Sequence, residues 1–180
     1  MNDISMHILD IAQNSFKANA TLLKLIIDEN VNENYLRISF IDDGCGIDSE
    51  KLKTIDSPFS TSRKTRKVGL GIPLLKLACL QTGGDFVIES EVNKGTSLHA
   101  TFVYDSIDRA PLGDVADTIY LLFINDDNVD VEYIHKYNDK EFALRTKELK
   151  EILNGVSFKE YEIMMWIKDF IEENLSNIKK

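Results

Sequence analysis

An apolar strand that runs without a break into two aspartates and two glycines sets the tightest constraint on this 180-residue chain. Residues 35–43, Tyr-Leu-Arg-Ile-Ser-Phe-Ile-Asp-Asp, read as a strand, and Gly44-Cys45-Gly46 stops it at once. Two glycines two residues apart demand tight backbone geometry at that point. Asp42 closes the apolar run, so it is expected at the rim of a sheet rather than in open water. A carboxylate placed there can accept a hydrogen bond from an exocyclic amine such as that of adenine. Gly44 and Gly46 remove side chains and let a flat base approach the backbone, while Ile47 could cover its face. A plain loop is the other reading. A calcium turn would need further oxygen ligands at alternate positions, and the sequence lacks them.

Upstream, residues 4–18 carry Ile4, Ile8 and Ile11 at helical spacing, with Asp3 or Ser5 as a cap. Asp10 and Asn14 stand four apart, one turn from each other on one face. A carboxylate can orient or deprotonate a water. An amide oxygen is a hard ligand of the kind magnesium accepts while keeping several waters. Lys17, a further turn along, could reach a phosphate. Read singly, such residues are usually just the solvated face of a helix.

Downstream, residues 48–68 are polar, long for a connection, and hold Pro58 and the basic run Arg63, Lys64, Arg66 and Lys67, which reads as a lid or binding loop. Gly69-Leu70-Gly71 opens a helix over 72–82, and a glycine-flanked helix start exposes N–H groups that bind anions. The spacing is neither a Walker loop nor a Rossmann fingerprint. On its own, a tight helix start explains it as well. Strands are predicted at 21–29, 85–92 and 97–105, the last two joined by a turn through Asn93-Lys94-Gly95-Thr96. Further on, 117–125 and 129–137 read as strands, 141–146 as a third, and Thr146 and Ser157 as the starts of two helices, the last from about Phe158 to Ile178. Its stripe of Ile163, Trp166, Ile167, Phe170 and Ile171 reads as core.

A formal net charge of −9 opposes unassisted binding to nucleic acid or an anionic membrane. Cys45 and Cys79 show no pairing pattern or metal-ligand spacing, and no run is apolar and long enough to span a bilayer, so a cytoplasmic setting is expected. His7, His99 and His135 read as structural or surface residues, and Cys45 as a small filler.

Taken together, HILDIAQNSFKANA, DDGCGI, SPFSTSR and VGLGIPLLK resemble, in order, the N, G1, F and G2 boxes of the GHKL ATPases. That superfamily includes DNA gyrase B, the MutL mismatch-repair proteins, histidine kinases and anti-sigma-factor serine kinases. The resemblance spans roughly residues 5–105, with GGDFVIESEVNKGTSLHATF as the closing segment. It implies an α+β, two-layer α/β sandwich of the Bergerat type over 1–105, with 106–180 as a small C-terminal α+β extension. By position, Asn14 would hold magnesium and Asp42 would read the adenine amine. Gly44, Gly46 and Ile47 would line the base pocket, with Thr96 supporting it through a water. Lys17, Ser60, Thr61 and Arg63 would approach phosphates, and Gly69, Leu70 and Gly71 would offer them N–H groups. Asp10 takes the place where hydrolysing members usually carry glutamate as base. It is shorter by one methylene, which leaves hydrolysis and phosphotransfer both open.

Only a handful of residues precede the first box, so the dimerisation hairpin that carries a histidine kinase's phosphoacceptor is expected to be absent. The implied function is a Mg·ATP-binding protein, acting as a slow ATPase or as an ATP-driven switch on a protein partner. A serine/threonine protein kinase and a nucleotide sensor without turnover are the alternatives. The segment DRAPLGDVADT adds a fainter resemblance to small stand-alone ATP-binding proteins of anaerobic bacteria, associated with iron-only hydrogenase systems.

Overall fold

The computed structural model describes residues 2–56 and 70–180. Their elements run α1 (Ile4–Lys17), β1 (Leu22–Asn30), β2 (Tyr35–Asp42), α2 (Ser49–Asp56), α3 (Gly71–Gln81), β3 (Asp85–Glu91) and β4 (Gly95–Val103), then α4 (Val115–Phe123), β5 (Asp130–Tyr137), β6 (Lys140–Arg145), α5 (Thr146–Leu153) and α6 (Tyr161–Ile178). The strands form one sheet in the order β3-β4-β2-β1-β5-β6. Every pairing is antiparallel except that of β1 with β5. This is the expected two-layer α+β sandwich.

Period-2 burial makes the layers. On β1, Leu23, Leu25, Ile27 and Glu29 alternate with half-buried Lys24, Ile26 and Asp28. Through the registered neighbours, Leu36, Ile38 and Phe40 of β2, Leu98, Ala100 and Phe102 of β4, and Val131 and Tyr133 of β5 continue the same apolar face. Against it lie Ile4, Ile8 and Ile11 of α1, Ile72 and Leu75 of α3, Ile119 of α4, and Ile167 and Ile171 of α6. Each such side chain, once buried, contributes about 1.5–3 kcal/mol. Leu25 at the centre is fully buried, and Leu25→Ala would cost about 2–5 kcal/mol.

The extension continues the sheet rather than starting a second one. β5 pairs along β1, and β6 adds the far edge. Residues 111 and 112 also reach back to the start of α1, where Ile4 and Ser5 donate their N–H groups to the carbonyls of Pro111 and Leu112. Asp3 caps the same end by accepting from the Met6 N–H. Four orphan donors open any helix, and three of α1's are thereby met.

Three local expectations are corrected. Residues 117–125, read as a strand, lie largely in α4: Asp114 caps the Asp117 N–H, and Val115, Ala116, Ile119, Tyr120, Leu122 and Phe123 are buried at helical spacing. A short apolar run satisfies both periods, and the cap decides. Residues 49–56 of the polar stretch form α2. Ser157 does not cap α6, which starts at Tyr161 with Glu160 before it, and Thr146 turns its hydroxyl to the Val131 N–H.

Candidate functional site

The site gathers where β2 ends. Asp42 is registered opposite Thr96 of β4 and Leu23 of β1, on the helix-facing side of the sheet. Only glycine makes that register possible. Gly95 has φ +117°, and a Cβ on it would stand 1.9 Å from the Asp42 carbonyl oxygen. Gly46 likewise has φ +71°, with a Cβ position 2.1 Å from the Glu91 oxygen, so the loop lies flat against the β3–β4 hairpin. The loop is tied at both sides, with the Cys45 N–H donating to the Ala18 carbonyl and the Asn93 N–H to the Cys45 carbonyl.

The two aspartates divide the work. Asp43 faces the chain: it accepts from the Thr21 and Leu22 N–H groups at 2.7 and 2.9 Å and from the Thr21 hydroxyl. Slight burial would raise its pKa, but these donors hold it below the usual carboxylate value. Asp42 faces a cavity. Its Oδ2 accepts from the Ser15 hydroxyl at 2.6 Å and its Oδ1 from the Gly44 N–H at 2.9 Å. Each oxygen is thus fixed by one donor and keeps a lone pair for another.

That cavity is a small, partly open cleft of about 60 Å³. Ile11, Asn14, Ser15 and Ala18 form its α1 wall, with Phe40, Leu98, Ile72 and Ile47 supplying apolar faces and Asp42, Gly46 and Thr96 closing it. Ser90 organises the Thr96 side: its hydroxyl accepts from the Ile47 N–H at 2.8 Å and stands 2.8 Å from the Thr96 hydroxyl. Asp42 is the one carboxylate in this lining, and the Asn14 amide and the Ser15 and Thr96 hydroxyls are its other polar side chains.

Five of the sequence-derived candidates, Asn14, Asp42, Gly46, Ile47 and Thr96, therefore line one cavity. Gly44 is buried beneath it, and a Cβ there would stand 2.8 Å from that of Ala18, so its smallness serves the packing of the loop on α1. Asp10 is exposed and adjoins the first residue of α3: a Cβ on Gly71 would stand 2.8 Å from Asp10 Oδ2. Lys17 and Leu70 are exposed and do not line the cavity. Among the described residues no side chain caps the start of α3. Ser60, Thr61, Arg63 and Gly69 lie outside the described residues.

Sequence reasoning missed Ser15 and Ser90. Ser15 had a legible signal, a hydroxyl on the apolar stripe Ile8, Ile11, Ala12. Ser90 had none, because its role depends on register. Cys45, expected as filler, is exposed, whereas Cys79 is buried, and burial raises its thiol pKa to about 11. Among the described residues no helix is long and apolar enough to cross a membrane.

Comparisons with known proteins fit this geometry. Residues 2–106 match the family model of the histidine kinase-, DNA gyrase B- and HSP90-like ATPases. A putative sensor protein of Shewanella frigidimarina is 34% identical over 97 residues, covering 53% of this chain and 15% of that protein. Sporulation kinase D of Bacillus subtilis is 37% identical over 98 residues, covering 54% of this chain and 19% of that protein. The chain thus spans less than a fifth of the length of these curated relatives. Among solved structures, the N-terminal domain of a DNA repair protein superposes with a TM-score of 0.55 at 14% identity, over 79% of this chain and 52% of that one, a likeness of fold. A family match over more than half its length means that the chain belongs to the histidine kinase-, DNA gyrase B- and HSP90-like ATPases, with an ATP-binding domain of the GHKL type as its first part.

Proposed function

We propose that the chain binds Mg·ATP in the cavity beside Asp42, and hydrolyses it slowly or uses it as a conformational switch toward a protein partner. One observation carries this reading. Asp42 presents a carboxylate, each oxygen already fixed by a donor, into an apolar slot whose α1 wall includes Asn14. A carboxylate accepts and does not donate, so it favours a base with an amine at that edge over one with a carbonyl.

The residues fit the rest of the ligand. Asn14 would hold magnesium through its amide oxygen. Among the described residues no three His, Cys, Asp or Glu side chains cluster as a metal site, so phosphates and water would supply the other ligands. When bound, the metal would neutralise phosphate charge. The start of α3 at Leu70-Gly71, with no side-chain cap among the described residues, would offer N–H groups to the phosphates, and Lys17 follows Asn14 by three residues on α1. Asp10, beside Gly71, would orient the attacking water. Ser60, Thr61 and Arg63, outside the described residues, would be further phosphate-binding residues. Titration calorimetry with ATP and magnesium tests the first step: wild type should bind, and Asn14→Ala should lose the magnesium-dependent part of the affinity. Absence of wild-type binding ends the reading.

Phosphotransfer to a protein is the second reading, supported by relatives named as kinases. Radiolabelled ATP separates the two. Label on a co-purified protein supports a kinase, free phosphate an ATPase, and intact ATP after long incubation a sensor without turnover. A partner, with an anaerobic redox or hydrogenase system as the first candidate, would be found by a pull-down from native cytoplasmic lysate with and without ATP.

A further inference from the structure

The sheet has a second face, turned away from the helices and the nucleotide cavity. There β1 presents Lys24, Ile26 and Asp28, while β5 presents Glu132, Ile134 and Lys136. At the edge, β6 presents Glu141, Ala143 and Arg145. Each of the three strands thus carries an acid and a base on either side of an apolar centre. The register aligns the centres, with Ile26 opposite Ile134 and Ile134 opposite Ala143. On one side of this apolar row run Asp28, Lys136 and Glu141, and on the other Lys24, Glu132 and Arg145. The two charged rows are opposite in sign on every strand.

Within the chain these charges are lightly used. Lys136 Nζ stands 3.6 Å from Glu141 Oε2 and Arg145 Nε 3.8 Å from Glu132 Oε1, loose pairs at partly exposed sites that contribute little. Asp28 accepts from the Tyr35 hydroxyl at 3.2 Å, and Lys24 has no ion pair among the described residues. Ile26, Ile134 and Ala143 neither belong to the core cluster nor pack against it. Next to Lys24 in register, Ile41 of β2 leaves 37% of its surface exposed. A sheet face that meets only water is ordinarily polar throughout, so an apolar row there fits a covered face.

We propose that this face docks on the same face of a second copy of the chain, the two copies related by a twofold axis along the Ile26–Ile134–Ala143 row. That rotation lays each charged row over the row of opposite sign. Lys24 meets Asp28 of the partner subunit, Lys136 meets Glu132 of the partner subunit, and Glu141 meets Arg145 of the partner subunit, each contact occurring twice. Sheets stacked in this way keep their strands aligned to within about 30°. The stem of Arg37 lies over Ile41 of the partner subunit. A pattern that is its own inverse about an axis matches its own copy, whereas a partner of one sign would meet repulsion at every strand. β3 bounds the contact: Asp85 and Glu89 are both acids, and the same rotation would oppose them, so the docking centres on β1, β5 and β6.

Sedimentation equilibrium of the full chain from about 10 to 500 μM should show a monomer–dimer equilibrium that weakens as salt rises, as a small charge-matched interface does. Lys24→Glu and Asp28→Lys each set like charges at both symmetric contacts, and each alone should raise the dimer dissociation constant about a hundredfold. An equimolar mixture of the two variants should dimerise again, because every contact between positions 24 and 28 then joins opposite signs. Circular dichroism melts show whether a variant folds; should one fail, Glu132→Lys with Lys136→Glu repeats the experiment on β5. The proposal is overturned if the wild-type chain stays monomeric throughout, if either folded single variant dimerises like wild type, or if the mixture of folded variants stays monomeric.

Discussion

Two carboxylates mark the two ends of the same sheet face, and they have opposite surroundings. Asp42 ends β2 at the cavity, half-buried, with one donor on each oxygen. Glu29 lies near the end of β1, at the opposite end of the β1–β2 ladder, 4% exposed and enclosed by donors. His135 Nε2 stands 2.6 Å from its Oε1, Lys179 Nζ 2.7 Å from the same atom, and the Tyr104 hydroxyl 3.3 Å from Oε2. Burial alone would raise its pKa, but His135 and Lys179 bring it down to about 2. Since Glu29 is therefore ionised and accepts only, His135 carries its proton on Nε2, and its Nδ1 accepts from the Tyr133 hydroxyl at 2.7 Å. A buried carboxylate saturated with donors fastens the fold. One left with spare lone pairs toward an apolar slot is available to a ligand.

The Glu29 end is built largely by the extension, since His135 and Tyr133 belong to β5 and Lys179 follows α6. The largest expected effect follows from that. Deleting residues 106–180 strips β1 of its β5 partner, leaves Glu29 without His135 and Lys179, and takes Pro111 and Leu112 from the start of α1. The remaining fragment should show no cooperative thermal transition in circular dichroism. A sharp transition near that of the whole chain would mean that the two ends do not depend on each other.

Single substitutions sharpen the contrast. Glu29→Ala should destabilise the chain by about 3 kcal/mol in urea unfolding, as expected when one partner of a buried, hydrogen-bonded charge pair is removed, and leave ATP affinity of the folded protein unchanged. Asp42→Asn should do the reverse: an ATP dissociation constant raised about fiftyfold by calorimetry, with the urea midpoint almost unmoved. If either variant changes both quantities equally, the two ends do not play separate roles.

Acid should act on the Glu29 end in two windows. His135 has its pKa lowered, burial outweighing the pull of Glu29. Protonation therefore favours the unfolded chain, and stability present above about pH 6.5 declines as pH falls through the lower folded value. Glu29 contributes stability that is complete above its ordinary value of 4.5 and is lost between there and about 2. Urea midpoints taken at pH 7.5, 5.5 and 4 should fall, and the first decline should be smaller in His135→Gln, buried His7 with its own lowered pKa supplying the rest. The smallest effect is at Ser15, where Ser15→Ala should weaken ATP binding about fivefold, because Asp42 loses one of its two fixing donors.

Much of the ATP-binding half was legible. Period-2 runs at 21–29 and 35–43, the helical stripe Ile4, Ile8, Ile11, and glycines at 44, 46 and 71 are local signals that tertiary packing left in place. The α4 segment was misread because its apolar run obeys both periods, and only the Asp114 cap settles it. Ser90 and the His135–Glu29 contact joins residues far apart in sequence or through register, and no spacing encodes them.

What the chain's own order of residues determined is which chemistry is present: an amide on a helix, a carboxylate at a strand end, glycines where a backbone must come close. Those follow from periodicity, caps and φ preferences, which are local. Only the tertiary structure decided which carboxylate is free to bind and which is consumed in fastening. That depends on how many donors converge on each, and α1, β5 and the residues after β4 and α6 deliver most of those donors from elsewhere in the chain.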